Sequence, residues 1–148
     1  MSTIRVQRED FDTAAEVVAL KAADNGIGAV VTFTGIVRGN GVTGLTLEHY
    51  PGMTEREIAR HVNEASARWP LLGVTVVHRI GSLRPGDNIV LVATASSHRE
   101  AAFEAAEFLM DYLKTRAPFW KLEEAATGTE WVEARGSDND AVRRWRED

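Results

Sequence analysis

Three long segments of the chain have helical character, one rich in alanine and two in which apolar residues recur at three- and four-residue spacing. Each contains a serine or threonine followed three residues later by glutamate, the capping-box pattern of a helix start. The predicted helices cover residues 12–23, 54–69 and 97–117, with capping boxes at Thr13/Glu16, Thr54/Glu57 and Ser97/Glu100. Proline is predicted to end the second and third helices. The predicted apolar stripe of the third helix includes Phe103, and a short terminal helix is predicted to begin at Ser137.

Runs of β-branched and apolar residues predict strands between these helices, at 4–7, 28–37, 45–49, 74–80, 88–95, 119–124 and 130–135. The run at 28–37 is apolar almost throughout, which predicts burial on both faces. Arg84-Pro85-Gly86-Asp87 predicts a hairpin between the strands on either side of it, and Thr127-Gly128 predicts a second hairpin. The glycine-rich segment RGNGVTG (residues 38–44) predicts a flexible loop that holds neither a helix nor a central strand.

This order of elements predicts the α+β fold class, because strands that follow one another through tight turns form a mixed, mostly antiparallel sheet. The chain has 148 residues, the length of one domain, and contains neither an internal repeat nor a linker-like stretch. We therefore expect a single domain, residues 1–148.

Composition excludes several classes of protein. Hydrophobic residues make up 44% and charged residues 26%, as in ordinary globular domains and unlike disordered or collagen-like chains. The absence of cysteine removes disulfides, thiolate metal sites and a cysteine nucleophile. A net charge of −5 argues against broad binding to nucleic acid or anionic membranes but leaves room for a local basic pocket. No segment is long and apolar enough for a signal peptide or membrane helix, so we expect a soluble, cytoplasmic protein.

The segment DYLKTRAPFWK places three cations around a helix-breaking proline. Pro118 disfavours helical geometry at the residue before it, so Lys114 lies near a helix end and Lys121 on an extended segment. Cations on different elements can converge on one point, which is typical of an anion site. The alternative is that Lys114 and Arg116 simply lie at the negative end of the helix.

Two further groups are candidates for binding an anion. His98 and Arg99 lie at the start of the third helix, where cations oppose the helix dipole and therefore suggest a function rather than a gain in stability. Arg38 stands between a strand and the glycine-rich loop. The four histidines show no metal-ligand spacing, so we expect no metal, and His78 is predicted to serve packing within a strand.

Several strings together resemble one family, the MoaE family, which is the catalytic (large) subunit of molybdopterin synthase. They are GAVVTFTGIVRGN, LTLEHYPGMTE, RWPLLGVTVVHRIGSLRPGD, SSHREAAFEAAEFLMDYLKTRAPFWK and WVEAR, in order from about residue 28 to residue 135. The resemblance implies an α/β hammerhead-like fold with a small extra β subdomain. It also implies a homodimer of large subunits, which forms an elongated heterotetramer with a small subunit at each end.

The chemistry that the resemblance implies is sulfur transfer. Cyclic pyranopterin monophosphate (precursor Z) is converted to molybdopterin by two sulfurs, each delivered as a thiocarboxylate on the C-terminal glycine of a small ubiquitin-like partner. The sulfur need not sit on this chain, in agreement with its lack of cysteine. We expect no cofactor.

The resemblance also assigns roles to residues. Lys114 and Lys121 match the catalytic lysines, with Lys114 as the main catalytic cation and Lys121 assisting it. The residues that match substrate-binding or pocket-lining positions are Arg38, His98, Arg99, Ile36, Val37, Leu122 and Glu123. In the family, residues of both protomers adjoin one pocket, so His98 and Arg99 are expected to complete the site of a neighbouring subunit.

Two other functions compete with sulfur transfer. The chain could be a docking module that binds a partner's acidic or glycine-rich tail without chemistry, although such a module has no need for paired lysines beside a proline. A hydrolase of phosphorylated small molecules is a more distant alternative, since no metal or nucleophile constellation is present.

Overall fold

The computed structural model describes residues 1–125, 128–132 and 136–146. Within these ranges the chain forms two four-stranded sheets and four helices, which confirms the predicted α+β class. The elements in chain order are β1 (Ser2–Gln7), α1 (Thr13–Lys21), β2 (Ala29–Ile36), β3 (Val42–His49), α2 (Met53–Arg68), β4 (Leu71–Arg79), β5 (Gly81–Leu83), β6 (Asn88–Ser96), α3 (Arg99–Thr115), β7 (Phe119–Ala125), β8 (Gly128–Trp131) and α4 (Gly136–Arg143).

The first sheet has the order β1-β4-β6-β2 and holds the main core. β1 pairs with β4 in parallel, and the other two pairings are antiparallel. Val76 and Val92 lie opposite each other in the two central strands, and Phe108 and Leu109 of α3 pack on them. The predicted pairing of β4 with β6 is confirmed, although the chain between them is not a simple hairpin because it contains β5.

The second sheet has the order β5-β3-β7-β8 and is antiparallel throughout. β3, one of its two central strands, begins at Val42, so the prediction that the glycine-rich segment holds no central strand is wrong for residues 42–44. The register shifts between Val42 and Gly44, an irregularity of the kind at which a strand accepts glycine. A Cβ at Gly44 would lie 3.1 Å from the Glu124 carboxylate, so glycine allows β7 to approach closely.

β2 lies at an edge of the first sheet, and none of its residues is fully buried, so the prediction that both of its faces are buried is wrong. Phe33 is 41% exposed and Ile36 is 52% exposed, and the strand pairs with β6 on one side. Phe103 of α3, predicted to lie on the apolar stripe, is 60% exposed. An uninterrupted apolar run does not distinguish a buried strand from an edge strand whose apolar side chains lie at the surface.

The starts of the helices also differ from the prediction in detail. Three residues were predicted as helix caps, and none of them occupies the N-cap position. They are Thr13, Thr54 and Ser97. Asp12 caps α1 by accepting a hydrogen bond from the Ala15 N–H. Gly52 precedes α2 and donates its N–H to Glu55 Oε1 at 3.2 Å, while His98 precedes α3 without a capping hydrogen bond from its side chain.

Candidate active site

A cavity of about 420 Å³ lies between the two sheets at the C-terminal end of α3. Three cations line it, each from a different part of the fold: Lys114 from the last turn of α3, Lys121 from β7, and Arg38 from the segment after β2. Its apolar wall includes Phe33, Ile89, Val90, Met110, Leu113 and Phe119. The structure therefore brings together three of the five cations expected at the site, which were Arg38, His98, Arg99, Lys114 and Lys121.

The chain reversal at Pro118 explains why the two lysines meet. α3 ends at Thr115, where the Arg116 N–H donates to the Tyr112 carbonyl at 2.7 Å. β7 begins at Phe119, so Lys114 and Lys121 stand on the two arms of one turn. A cation in the last turn also interacts favourably with the negative end of the helix, so this position costs no helix stability.

A buried hydroxyl holds this turn against α2. Thr54 Oγ1 accepts the Tyr50 N–H at 3.1 Å and donates to the Pro118 carbonyl at 2.9 Å. Thr54 is fully buried, so both groups would lose a partner without it. The Tyr50 and Trp120 rings, 4.2 Å apart, add a second contact between the same segments. Thr54 thus connects α2 to the lysine-bearing turn.

The alternation of side chains along β7 decides which residues face the cavity. Lys121 and Glu123 project to one face and lie opposite the buried Leu47 and Leu45 of β3. Leu122, which was expected to contribute to the pocket, projects to the other face of β7 and lines neither of the two cavities.

A second cavity of about 290 Å³ adjoins the first. The two cavities share Arg38, Ile89, Lys121 and Glu123 as lining residues. Of the apolar residues expected to line the pocket, Ile36 lines the larger cavity and Val37 the smaller one. The two spaces therefore form an elongated site with Arg38 and Lys121 in the middle.

The charges around the larger cavity favour an anion. Among the described residues that line it, there are three cations, Arg38, Lys114 and Lys121, and two carboxylates, Glu123 and Asp138, which is a formal net charge of +1. Anionic groups such as a phosphate or a carboxylate suit this arrangement, because arginine grips their oxygens in pairs and lysine supplies a compact charge.

His98 and Arg99 lie at the other end of α3. Both are exposed, and neither lines either of the two cavities. A 17-residue helix is roughly 25 Å long, so these side chains do not reach the lysines of their own chain. The structure of one chain does not bring them to the site.

His78 is a cavity residue that sequence reasoning missed. It is 8% exposed, lines the larger cavity and stacks on Phe119, with the ring centroids 3.8 Å apart. Burial lowers the pKa of His78 to about 4, and the charges of Lys114 and Lys121 add to this effect. The sequence places His78 in a β-rich run, and only the position of β4 beside the lysine-bearing turn shows where the ring points.

Two further observations concern the part of the chain that the structure describes. Within residues 1–125, 128–132 and 136–146, no three histidine, aspartate or glutamate side chains lie close enough together to hold a metal ion. None of the helices in these ranges is sufficiently long and apolar to cross a membrane.

Comparisons with known proteins agree on one family. A family model described as MoaE protein matches residues 6–116. A relative from Mesorhizobium japonicum, named molybdopterin synthase catalytic subunit, is 57% identical over 148 residues, covering 97% of this chain and 93% of the relative. The solved structure of a molybdopterin biosynthesis MoaE protein from Burkholderia ambifaria has a TM-score of 0.87 and 53% identity, and the match covers 98% of each chain.

A more distant structure shares the fold. It is a complex of subunits 1 and 2 of molybdopterin-converting factor from Helicobacter pylori, with a TM-score of 0.74 at 21% identity, covering 89% of this chain and 91% of that chain. The family match and the close relatives decide the assignment. This chain belongs to the MoaE family, whose curated relatives are catalytic subunits of molybdopterin synthase, and it is an enzyme of molybdenum cofactor biosynthesis.

Proposed function

We propose that this chain transfers sulfur to cyclic pyranopterin monophosphate (precursor Z) and converts it to molybdopterin. The sulfur donor is the C-terminal thiocarboxylate of a small ubiquitin-like partner. The observation that carries the proposal is the convergence of Lys114, Lys121 and Arg38 on one cavity. Both the substrate phosphate and the thiocarboxylate are anions, so each gains from this concentration of positive charge.

The elongated shape of the site supports a tail as sulfur donor. The two adjoining cavities give an anionic substrate and a second anionic group separate places, with Arg38 and Lys121 between them. A Gly-Gly terminus is narrow because it has no side chains, so it fits a channel that a bulkier peptide does not. The Helicobacter pylori structure of this fold is a complex of two subunits, which supports a small partner subunit here.

Lys114 is the main catalytic cation in this proposal. The thiocarboxylate sulfur bonds to a substrate carbon while a carbon–oxygen bond at that carbon breaks, and the oxygen leaves as water or as the phosphate oxygen. Water then attacks the resulting thioester carbonyl. The partner's tail leaves as a carboxylate, and the sulfur stays on the substrate as a thiol. The attack places negative charge on the carbonyl oxygen, and a fixed cation beside it lowers the barrier. Two such transfers complete the dithiolene, and no cofactor on this chain is required.

The remaining cavity residues bind substrate. Arg38 is suited to two phosphate oxygens at once, and Lys121 assists Lys114 and holds the substrate. Glu123 is on the same face of β7 as Lys121, where its carboxylate can accept hydrogen bonds from donor groups of a pterin. The apolar positions, Ile36 and Val37, line the two halves of the site.

His98 and Arg99 complete the site of a neighbouring protomer. The length of α3 keeps them from the lysines of their own chain, and their exposure leaves them accessible to another chain. The exposed edge strand β2 and the exposed Phe103 give the chain apolar surface of the kind that dimers bury. The assembly is a homodimer within a heterotetramer, formed from single-domain chains of residues 1–148 and working in the cytoplasm.

A mixing assay tests the proposal. The chain is combined with a thiocarboxylated small partner and precursor Z, and molybdopterin is detected as its fluorescent oxidation product. We expect product that depends on all three components. Absence of product under conditions in which a known synthase is active would reject sulfur transfer, and binding of the partner without product would favour the docking module instead.

A further inference from the structure

His78 lies on the wall of the larger cavity without a role in the reaction described above. It is the second-to-last residue of β4 and pairs with Val90 of β6 and Val6 of β1. The surrounding strand positions carry valine, so a polar ring here is not required by the core. A buried polar side chain that lines a site of catalysis calls for an explanation in terms of that site.

Two contacts lock the imidazole ring. Nδ1 lies 2.8 Å from the Arg79 carbonyl oxygen, and because a carbonyl only accepts, Nδ1 carries the proton. The ring also stacks on Phe119 at an interplanar angle of 19°. With Nδ1 as the donor, Nε2 of the neutral ring is an acceptor with a fixed direction.

Among the described residues, the charged and titratable groups that act on His78 come from three elements. They are Lys114 of α3, Lys121 of β7 and His49 of β3. Burial and these neighbours keep the pKa of His78 far below its ordinary value, at about 4, so the ring is uncharged at neutral pH. A further positive charge on His78 would repel both lysines, whereas a neutral acceptor adds no repulsion.

We propose that His78 is a positioning residue for the lysine pair, Lys114 and Lys121, and that its locked imidazole presents Nε2 as an uncharged acceptor for one hydrogen bond from an ammonium group of that pair. Phe119 connects the ring to the lysine-bearing strand, since Phe119 and Lys121 project to the same face of β7. The ammonium that donates to Nε2 is thereby oriented toward the cavity. This inference rests on the proposed sulfur transfer for its kinetic effect, but not for its structural basis.

His61 provides a matched control for packing alone. It is also buried and also stacks on an aromatic ring, that of Tyr112, at 4.4 Å. It does not line either cavity, and neither of its ring nitrogens has a hydrogen-bond partner among the residues that the structure describes. The two histidines therefore share burial and stacking but differ in their relation to the lysines.

Three substitutions separate the two ring nitrogens. His78→Asn keeps a donor near the position of Nδ1, His78→Gln keeps an acceptor near the position of Nε2, and His78→Phe keeps only the stacking. We expect Asn and Phe to lower kcat about tenfold, as loss of an outer hydrogen-bond partner typically does, with a smaller change in the KM for precursor Z. His78→Gln should retain more activity than either, and His61→Asn should leave kcat unchanged.

Nitrogen NMR of the full chain tests the same contact without turnover. At neutral pH the proton of His78 should be on Nδ1, and the pKa of the ring should rise from about 4 in Lys114→Ala and Lys121→Ala, because each removes a repelling charge. A proton on Nε2, or titration unmoved by both lysine changes, would overturn the inference. So would equal kcat losses in all three His78 variants, or no loss in any. If the wild-type chain makes no product, the proposed function fails, and the NMR titration still decides the role of His78.

Discussion

The two ends of α3 both carry cations, but their physical settings are opposite. At the C-terminal end, Lys114 interacts favourably with the helix dipole and lines a cavity with Lys121. At the N-terminal end, His98 and Arg99 oppose the dipole, are exposed and line neither cavity. The helix dipole accounts for a cation at the C-terminal end but not for cations at the N-terminal end. Residues that are unfavourable in their own chain therefore point to a role in an assembly.

Removal of the C-terminal cation should have the largest effect. We expect Lys114→Ala to lower turnover at least about a hundredfold, because a cation at a developing oxyanion contributes on this scale. The side chain is exposed, so the free energy of unfolding should change by less than about 0.5 kcal/mol. The mixing assay and thermal unfolding measure the two quantities.

Lys21 is the matched control for that change, since it is an exposed lysine in the last turn of another helix, α1. Lys21→Ala should leave turnover unchanged. Near-normal activity of Lys114→Ala, or an equal loss in Lys21→Ala, would contradict the catalytic role and remove the contrast between the two ends of α3.

Mixed protomers test the N-terminal end. Arg99→Ala alone should mainly raise the apparent KM for precursor Z, because a phosphate contact is lost. If Arg99 serves the neighbouring site, a dimer of one Lys114→Ala chain and one Arg99→Ala chain has one intact site. Equilibrated mixtures should then recover about a quarter of the wild-type sites, since half of the dimers are mixed and each keeps one site.

The measurement is kcat/KM at limiting substrate before and after exchange of protomers. A mixture whose activity stays at the average of its two parent variants would show that Arg99 acts within its own chain or has no role in the site. In both cases the cations at the N-terminal end of α3 would have no role in a neighbouring site.

Loss of the Thr54 hydroxyl should have a moderate effect on the C-terminal end. Thr54→Val leaves the Pro118 carbonyl and the Tyr50 N–H without their buried partner, which costs about 1–3 kcal/mol of unfolding free energy. We expect kcat to fall as well, because the turn between the two lysines loosens. Thr54→Ser keeps the hydroxyl and should preserve kcat, and urea unfolding together with the mixing assay checks both outcomes. Equal kcat values for Val and Ser would show that this hydroxyl does not position the lysines.

The smallest expected effect concerns His61 of α2, which stacks on Tyr112 of α3, and the pH dependence of the unfolding free energy. Burial lowers the pKa of His61, so the unfolded chain binds a proton more readily than the folded one. This contribution to stability is present above the ordinary histidine pKa near 6.5 and is lost as pH falls below it. His61→Asn should therefore flatten the fall in unfolding free energy between pH 7 and 5. If the unfolding free energy of His61→Asn falls with pH as steeply as that of the wild-type chain, protonation of His61 does not contribute to the fall.

Much of the fold was predictable because it depends on short-range patterns. The β-branched runs of β4 and β6 and the apolar spacing of α3 identified the main core, and Pro118 correctly marked the end of α3. Errors arose where a neighbouring segment changes the outcome. Gly44 forms part of a central strand through its pairing with Glu124 of β7, and the apolar β2 lies at a sheet edge. Asp12 caps α1 instead of the adjacent Thr13, a difference of one residue in backbone geometry.

The amino-acid sequence alone determined the α+β class, the family and the candidate lysines, because helix and strand patterns and long shared strings are properties of neighbouring residues. Only the tertiary structure decided which candidates meet. It joined Arg38 to Lys114 and Lys121, turned Leu122 away from the cavity, and added His78 to its wall. It also placed His98 and Arg99 a full helix length away. The reason is that convergence depends on the strand pairing and chain reversals that bring distant segments together, and no local pattern records that distance.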